Sequence, residues 1–179
     1  MITVISGVNR KGSKTKVFAK MYADLLAEIG SEEVKFLALE DINHDWFHAI
    51  MYGAADQSDS IARIQDEYIL PADKMVYVTP EYNGSIPGVM KLFIDACSIR
   101  EYQKNFKGKK AALIGVASGR AGNLRGLDHL ADILNHVGTV TFPNRLPISS
   151  IGDILDERNT IGKDTVQVMR EHAAEFLAF

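Results

Sequence analysis

The strict alternation of short apolar runs with longer stretches of helical period constrains this chain more than any other feature. Ile2 to Ser6, Val34 to Leu39, Met75 to Thr79 and Ala111 to Ala117 read as strands, mostly apolar and therefore buried on both faces. Between them the apolar residues recur at three and four. Val17, Phe18, Met21, Leu25 and Ile29 mark a helix from about Ser13 to Ile29, stopped by Gly30. Ile61, Ile64, Tyr68 and Ile69 form one face of a second helix that ends before Pro71. Pro87 suits the first turn of a third, with Val89 to Cys97 behind it. Leu124, Leu127, Leu130, Ala131 and Leu134 mark a fourth, and Thr160 to Leu177 a terminal helix. Val140 to Phe142 is a weaker fifth strand.

This alternation predicts an α/β fold: a doubly wound five-stranded parallel sheet of order 2-1-3-4-5 with helices on both faces. It occupies residues 1–179 as one domain, with no repeat and no linker, so no separate nucleotide-binding domain is expected. In such sheets ligands bind at the carboxyl ends of the strands, near the point where strand order reverses. The loops after strands one, three and four are therefore the candidate site.

Composition removes other classes of function. Lys and Arg total 20 against 23 Asp and Glu, which supplies no general basic face for nucleic acid. No apolar run reaches the roughly 20 residues of a membrane span, and Met1 to Ser6 lacks the features of a signal peptide. Cys97 is the single cysteine, so a reducing, cytoplasmic setting is expected.

The first loop runs from Ser6 to Lys16 and has the chemistry of an anion cradle. Gly7 and Gly12 let the backbone turn, Ser13 and Thr15 offer hydroxyls, and Arg10, Lys11, Lys14 and Lys16 bring positive charge to a helix N-terminus. A phosphate monoester suits it; so does the plainer reading, a turn with Ser13 as N-cap and solvated lysines. Gly7 and Gly12 have the separation of a P-loop, but Ser13 occupies the lysine position and Lys14-Thr15 follow one residue late. A shift of one residue rotates a helical side chain by about 100°. A nucleotide kinase is the weaker alternative.

The second loop is more specific: Pro80-Glu81-Tyr82-Asn83-Gly84-Ser85-Ile86-Pro87-Gly88 matches the pattern P-E-Y-N-x-S-x-P-G throughout. On this motif the chain resembles the NADPH-dependent FMN reductases of the flavodoxin-like superfamily, which include quinone, chromate and azo-dye reductases. Gly7, Arg10, Gly12 and Ser13 match the family's G-S-x-R-x-G-S pattern, with Val8 where serine is usual. The resemblance covers essentially the whole chain, Ser118 to Asn123 included.

It implies bound FMN, with NADPH or NADH as co-substrate and a small-molecule electron acceptor, turned over by a ping-pong mechanism. It implies cofactor contacts from Arg10, Gly12, Ser13, Lys14, Thr15, Pro80, Glu81, Tyr82, Asn83, Gly84, Ser118 and Gly119. Arg120 and Arg125 are candidates for the nicotinamide nucleotide's phosphates. Because the flavin carries the chemistry, no catalytic side chain is assigned, and no metal. A flavodoxin-like electron carrier remains the alternative, although such carriers are generally more acidic than this chain.

A homodimer or homotetramer is expected by resemblance, with the apolar helix after Pro87 as a candidate interface. Trp46, Phe47, Met51 and Tyr52, in the irregular stretch from Asp41 to Ser60, are candidate caps over the flavin. His44 and His48 have helical spacing beside Asp41 and Asp45 but no third metal ligand. Cys97 lies in an apolar run and reads as packing.

Overall fold

The computed structural model describes residues 1–53 and 57–179. Strand β1 (Ile2–Ser6) lies at the centre of one half of a parallel sheet, between β2 (Val34–Ala38) and β3 (Lys74–Pro80), and β4 (Lys110–Val116) pairs with β3. The spatial order is β2-β1-β3-β4-β5, with β5 (Val140–Thr141) at the far edge. These pairs are parallel, so each connection from β1 through to β5 crosses a face of the sheet, and both faces are covered by helices.

Period-two alternation along the strands sorts the core into two layers. Ile2 and Val4 of β1 and Val76 and Val78 of β3 belong to a cluster with Phe18, Tyr22 and Leu26 of α1 (Lys14–Ile29) and with Met169 and Phe176 of a C-terminal helix (Lys163–Ala178). Ile5, Met75 and Tyr77 belong to the opposite layer. There they meet Ile61 of α2 (Asp59–Ile64), Met90, Phe93 and Ile94 of α3 (Gly88–Cys97), and Leu127, Leu130 and Leu134 of a helix spanning Leu124–His136. Full burial of each large apolar side chain contributes about 1.5–3 kcal/mol. The two layers are therefore the main source of stability.

Three differences from the sequence reading have local causes. The fifth strand is split: β5 pairs with Lys110 and Ala111, and β6 (Leu146–Ile148) pairs with Ile114 to Val116 further along the same strand. Pro143 falls between the pieces, and Pro147 sits in β6, a position open to proline at a sheet edge. The second helix ends in a π turn, Gln65–Ile69, whose first residue holds the neighbouring loop through Gln65 Nε2 to Cys97 O (3.3 Å) and Arg100 O (3.2 Å). Two further short helices, α4 (Tyr102–Phe106) and α6 (Ile151–Ile154), precede β4 and follow β6. The helices Leu124–His136 and Lys163–Ala178 are thus α5 and α7.

Polar groups close the ends of these layers. Tyr22 Oη meets His172 Nδ1 at 2.7 Å while His172 Nε2 contacts Asn144 O at 2.8 Å, a buried link between α1, α7 and the segment before β6. Lys109 Nζ donates to the carbonyls of Ile69, Leu70 and Ala72 at 2.5, 3.0 and 2.6 Å. Helix α3 buries Met90, Phe93, Ile94, Ala96 and Cys97 inside the domain, which accounts for most of its apolar character. Among the described residues, no helix is long and apolar enough to cross a membrane.

Candidate functional site

The loops after β1, β3 and β4 meet at the carboxyl edge of the sheet around a cleft of about 420 Å³. Ligand sites of drug-sized molecules span about 300–1,000 Å³, so this one is of useful size. Arg10, Lys14 and Thr15 line it from the first loop and the start of α1. Pro80, Glu81 and Tyr82 line it from the second loop, and Ser118 and Gly119 from the third. Val116, Ala117 and Ile151 complete the wall with apolar surface that the sequence reading did not include.

Four of the expected site residues do not line this cleft; they shape its loops instead. Gly12 has φ +68°, the left-handed backbone that turns the first loop into the helix. Ser13 is the N-cap of α1, its Oγ accepting from Thr15 N at 3.3 Å. That hydroxyl is thus engaged in capping, worth about 1 kcal/mol to the helix. Asn83 and Gly84, with φ +52° and +76°, form the corner of a tight hairpin closed by Tyr82 N to Ser85 O (2.9 Å) and Ser85 N to Tyr82 O (3.1 Å). Asn-Gly is the sequence pair that such a double left-handed corner favours.

The positive charges of the first loop divide into two sets. Lys16 Nζ binds Glu40 (3.0 Å) and Asp41 (2.5 Å), and Lys11 Nζ reaches Asp41 at 3.4 Å. The hydrogen bond to Lys16 holds the Asp41 carboxyl below its ordinary pKa, and the same bond raises that of Lys16. Glu40 is buried and also faces Ser13 N at 3.4 Å. Lys11 and Lys16 are therefore engaged with carboxylates. Among the described residues, Arg10 and Lys14 have no ion-pair partner, and both are exposed at the cleft. Val8, where the family pattern has serine, is fully buried and offers no hydroxyl.

Backbone donors also face this edge of the sheet unused. Among the described residues, the N–H groups of Arg10, Lys14, Ser118 and Gly119 make no hydrogen bond within the protein. The third loop is held from beneath by Asn123, fully buried at the N-cap of α5, whose Nδ2 donates to Thr79 O (3.1 Å) and Pro80 O (2.9 Å). Nothing in the local sequence distinguishes Asn123 from an ordinary turn asparagine. A second tie joins Ser85 Oγ and His129 Nδ1 at 2.7 Å.

Several other candidates are placed elsewhere. Trp46 is buried against the Phe93 ring, with centroids 6.4 Å apart, and its Nε1–H donates to Asn43 O at 2.6 Å. It anchors the loop after β2 to the core and does not line the cleft. Met51 joins the same core, whereas Phe47 and Tyr52 are exposed. Part of the Asp41 to Ser60 stretch, residues 54–56, lies outside the described residues. Arg120 and Arg125 are exposed beside the third loop and do not line the cleft. His44 Nε2 contacts Leu39 O at 2.8 Å, and no metal-binding cluster occurs among the described residues. Burial raises the pKa of the Cys97 thiol, which disfavours the reactive thiolate.

Comparison with known proteins agrees with this arrangement of loops. The family model for NADPH-dependent FMN reductase matches residues 1–153. A 2-hydroxy-1,4-benzoquinone reductase from Burkholderia sp is 32% identical over 141 residues, 78% of this chain and 72% of that protein. A shorter match, 44% identical over 68 residues, covers 38% of this chain and 36% of an NAD(P)H-dependent FMN reductase from Pseudomonas aeruginosa. Among solved structures, FerB, a flavoenzyme NAD(P)H:(acceptor) oxidoreductase from Paracoccus denitrificans, has a TM-score of 0.78 at 27% identity, covering 99% of this chain and 94% of that one. The sequence motif, the sheet order and these matches agree: the chain belongs to the NADPH-dependent FMN reductase family of flavodoxin-like oxidoreductases, which work with FMN and a reduced nicotinamide nucleotide.

Proposed function

We propose that this protein holds FMN in the cleft at the carboxyl edge of the sheet and reduces a quinone, free flavin, azo compound or metal oxyanion with electrons from NADPH or NADH. The observation that carries this reading is the convergence of eight expected residues from three loops around one cleft, Arg10 and Lys14 among them and without an ion pair among the described residues. The donor set fits the group. Unused backbone N–H groups at Ser118 and Gly119 suit the polar edge of a flavin ring, while Pro80, Val116 and Ile151 suit its flat apolar surface. Arg10, Lys14, the Thr15 hydroxyl and the N-terminus of α1 suit its phosphate.

When bound, FMN supplies the redox chemistry, accepting a hydride equivalent and releasing electrons in a separate half-reaction. The side chains of this protein then bind and orient. Arg10 and Lys14 fix the anionic end, the hairpin from Tyr82 to Ser85 presents the second loop, and Asn123 and Ser85 tie that loop to α5. Gly12, Ser13, Asn83 and Gly84 support the site through loop geometry. In this reading donor and acceptor use the same cleft in turn, which is ping-pong turnover. A homodimer or homotetramer is the accompanying assembly, and the exposed Phe47, Ile50 and Tyr52 are candidates for covering by a neighbour.

Visible spectra after FMN addition, followed by anaerobic mixing with NADPH or NADH, test the function. Bound flavin that bleaches with either nucleotide is expected. Binding without bleaching would favour an electron carrier, and no binding would overturn the cofactor assignment. Arg10→Ala should weaken FMN far more than riboflavin, and equal loss for both would contradict its role at the phosphate.

A further inference from the structure

We propose that Asn123 is a positioning residue: its amide clasps the second loop to the third and sets the width of the flavin cleft. The inference rests on the cofactor reading above and names a residue outside the expected set. Sheet pairing between β3 and β4 ends at Pro80 opposite Val116. Beyond that point the two strands continue into the two loops that line the cleft, and among the described residues no hydrogen bond joins those loops directly. Asn123 bridges them from below. Its Nδ2 donates to Thr79 O and Pro80 O, the last two carbonyls of β3, at 3.1 and 2.9 Å.

The amide orientation is fixed chemically. Turning it over would set Oδ1 against two carbonyl oxygens, so only the NH₂ end can face them. On the other side, a Cβ at Gly126 would lie 2.1 Å from Asn123 Oδ1, so glycine there leaves room for the amide. The whole side chain is buried, and Oδ1 has no partner among the described residues.

Backbone geometry alone does not call for asparagine. At φ +63° glycine is the less strained choice. What asparagine adds is the pair of donors, aimed at the carbonyl of a cleft residue, Pro80. With the clasp present, the free protein already holds the two loops at the spacing the ligand needs. Without it, binding must restore that spacing, and affinity falls.

The test compares Asn123→Gly, which suits the left-handed backbone, with Asn123→Asp, which keeps the shape but replaces the donor by a carboxylate facing two carbonyls. Flavin fluorescence titration of the full-length protein gives Kd for FMN and for riboflavin. Both variants should lose about tenfold in affinity, and by the same factor for the two ligands, because the clasp acts on the ring and not on the phosphate. The visible band of bound FMN should also shift. Leu134→Ala, in the core under the other end of α5, controls for lost stability and should leave both Kd values near wild type.

Asn123→Gly binding both flavins like wild type would overturn the proposal. So would a loss confined to FMN, or an equal loss in Leu134→Ala. Failure of the wild-type protein to bind FMN would instead overturn the cofactor reading on which the proposal rests.

Discussion

Replacing Gly115 with alanine would place a methyl group where the fold has no room for one. A Cβ at this position on β4 would lie 2.0 Å from Gly122 O and 3.1 Å from Asn123 Cβ. Ordinary carbon contacts are about 3.5–4.0 Å, so the Gly122 carbonyl would have to retreat by more than about 1 Å. Retreat is obstructed, because the space beside Gly122 is filled by Pro147 and Ile148, within 2.7–2.9 Å of where its own Cβ would stand.

Overpacking of this kind costs about 1–3 kcal/mol, offset by the 0.4–1 kcal/mol that alanine saves in unfolded-chain entropy. Because the obstacle is backbone, a net loss of about 2 kcal/mol is expected, or about 4–8 °C in Tm for a chain of this size. Gly7→Ala is the matched comparison. Its Cβ would also lie 2.0 Å from a neighbour, but that neighbour is Met90 Cε, the free end of a flexible side chain. A change of less than about 1 kcal/mol is expected there. Urea unfolding followed by circular dichroism measures both. Equal losses in the two variants, or a Gly115→Ala protein as stable as wild type, would refute the distinction between backbone and side-chain obstacles.

Acid should destabilise the protein through His172, whose pKa burial lowers in the folded state. The unfolded chain then binds the extra proton first, so this stability is fully present above the ordinary histidine value of about 6.5 and is lost as pH falls through the folded value, with a slope of at most about 1.4 kcal/mol per pH unit. Urea midpoints from pH 7 to 5 should fall in wild type and fall less in His172→Gln; identical profiles would remove His172 as the cause. Lys109→Met should leave the carbonyls of Ile69, Leu70 and Ala72 without their shared donor, lowering stability by about 1–3 kcal/mol in the same assay. A loss below 0.5 kcal/mol would mean that water replaces the ammonium.

The sheet was legible because each buried strand carries its own apolar run and each helix its own period. The edge was not. Leu146-Pro147-Ile148 contains the residue that argues against a strand, and only at an edge, where one side of the backbone needs no partner, does it become one. Within the site, strand order pointed to the loops after β1, β3 and β4, but Pro80 to Tyr82 and Ser118-Gly119 were named within those loops through the family resemblance carried by the motif Pro80 to Gly88. As charges alone Lys11 and Lys16 looked like Arg10 and Lys14; only the family pattern singled out Arg10, and nothing local showed that Lys11 and Lys16 are engaged elsewhere. Their carboxylates stand 24 to 30 positions away and arrive only through the pairing of β1 with β2. Asn123 was hidden for a similar reason, since its carbonyl partners lie 43 and 44 positions earlier.

The broken fifth strand also governs how the molecule meets other molecules. An exposed strand edge is a template for further strands and hence for aggregation. Here the far edge consists of two residues in β5, three in β6 and a proline within the latter, so it offers no continuous row of donors and acceptors. At the opposite edge Lys35 of β2 carries a charge on the edge strand, its ammonium donating to Glu67 O at 3.2 Å. A sheet whose margins are short, broken by proline or charged is a poor template for edge-to-edge growth.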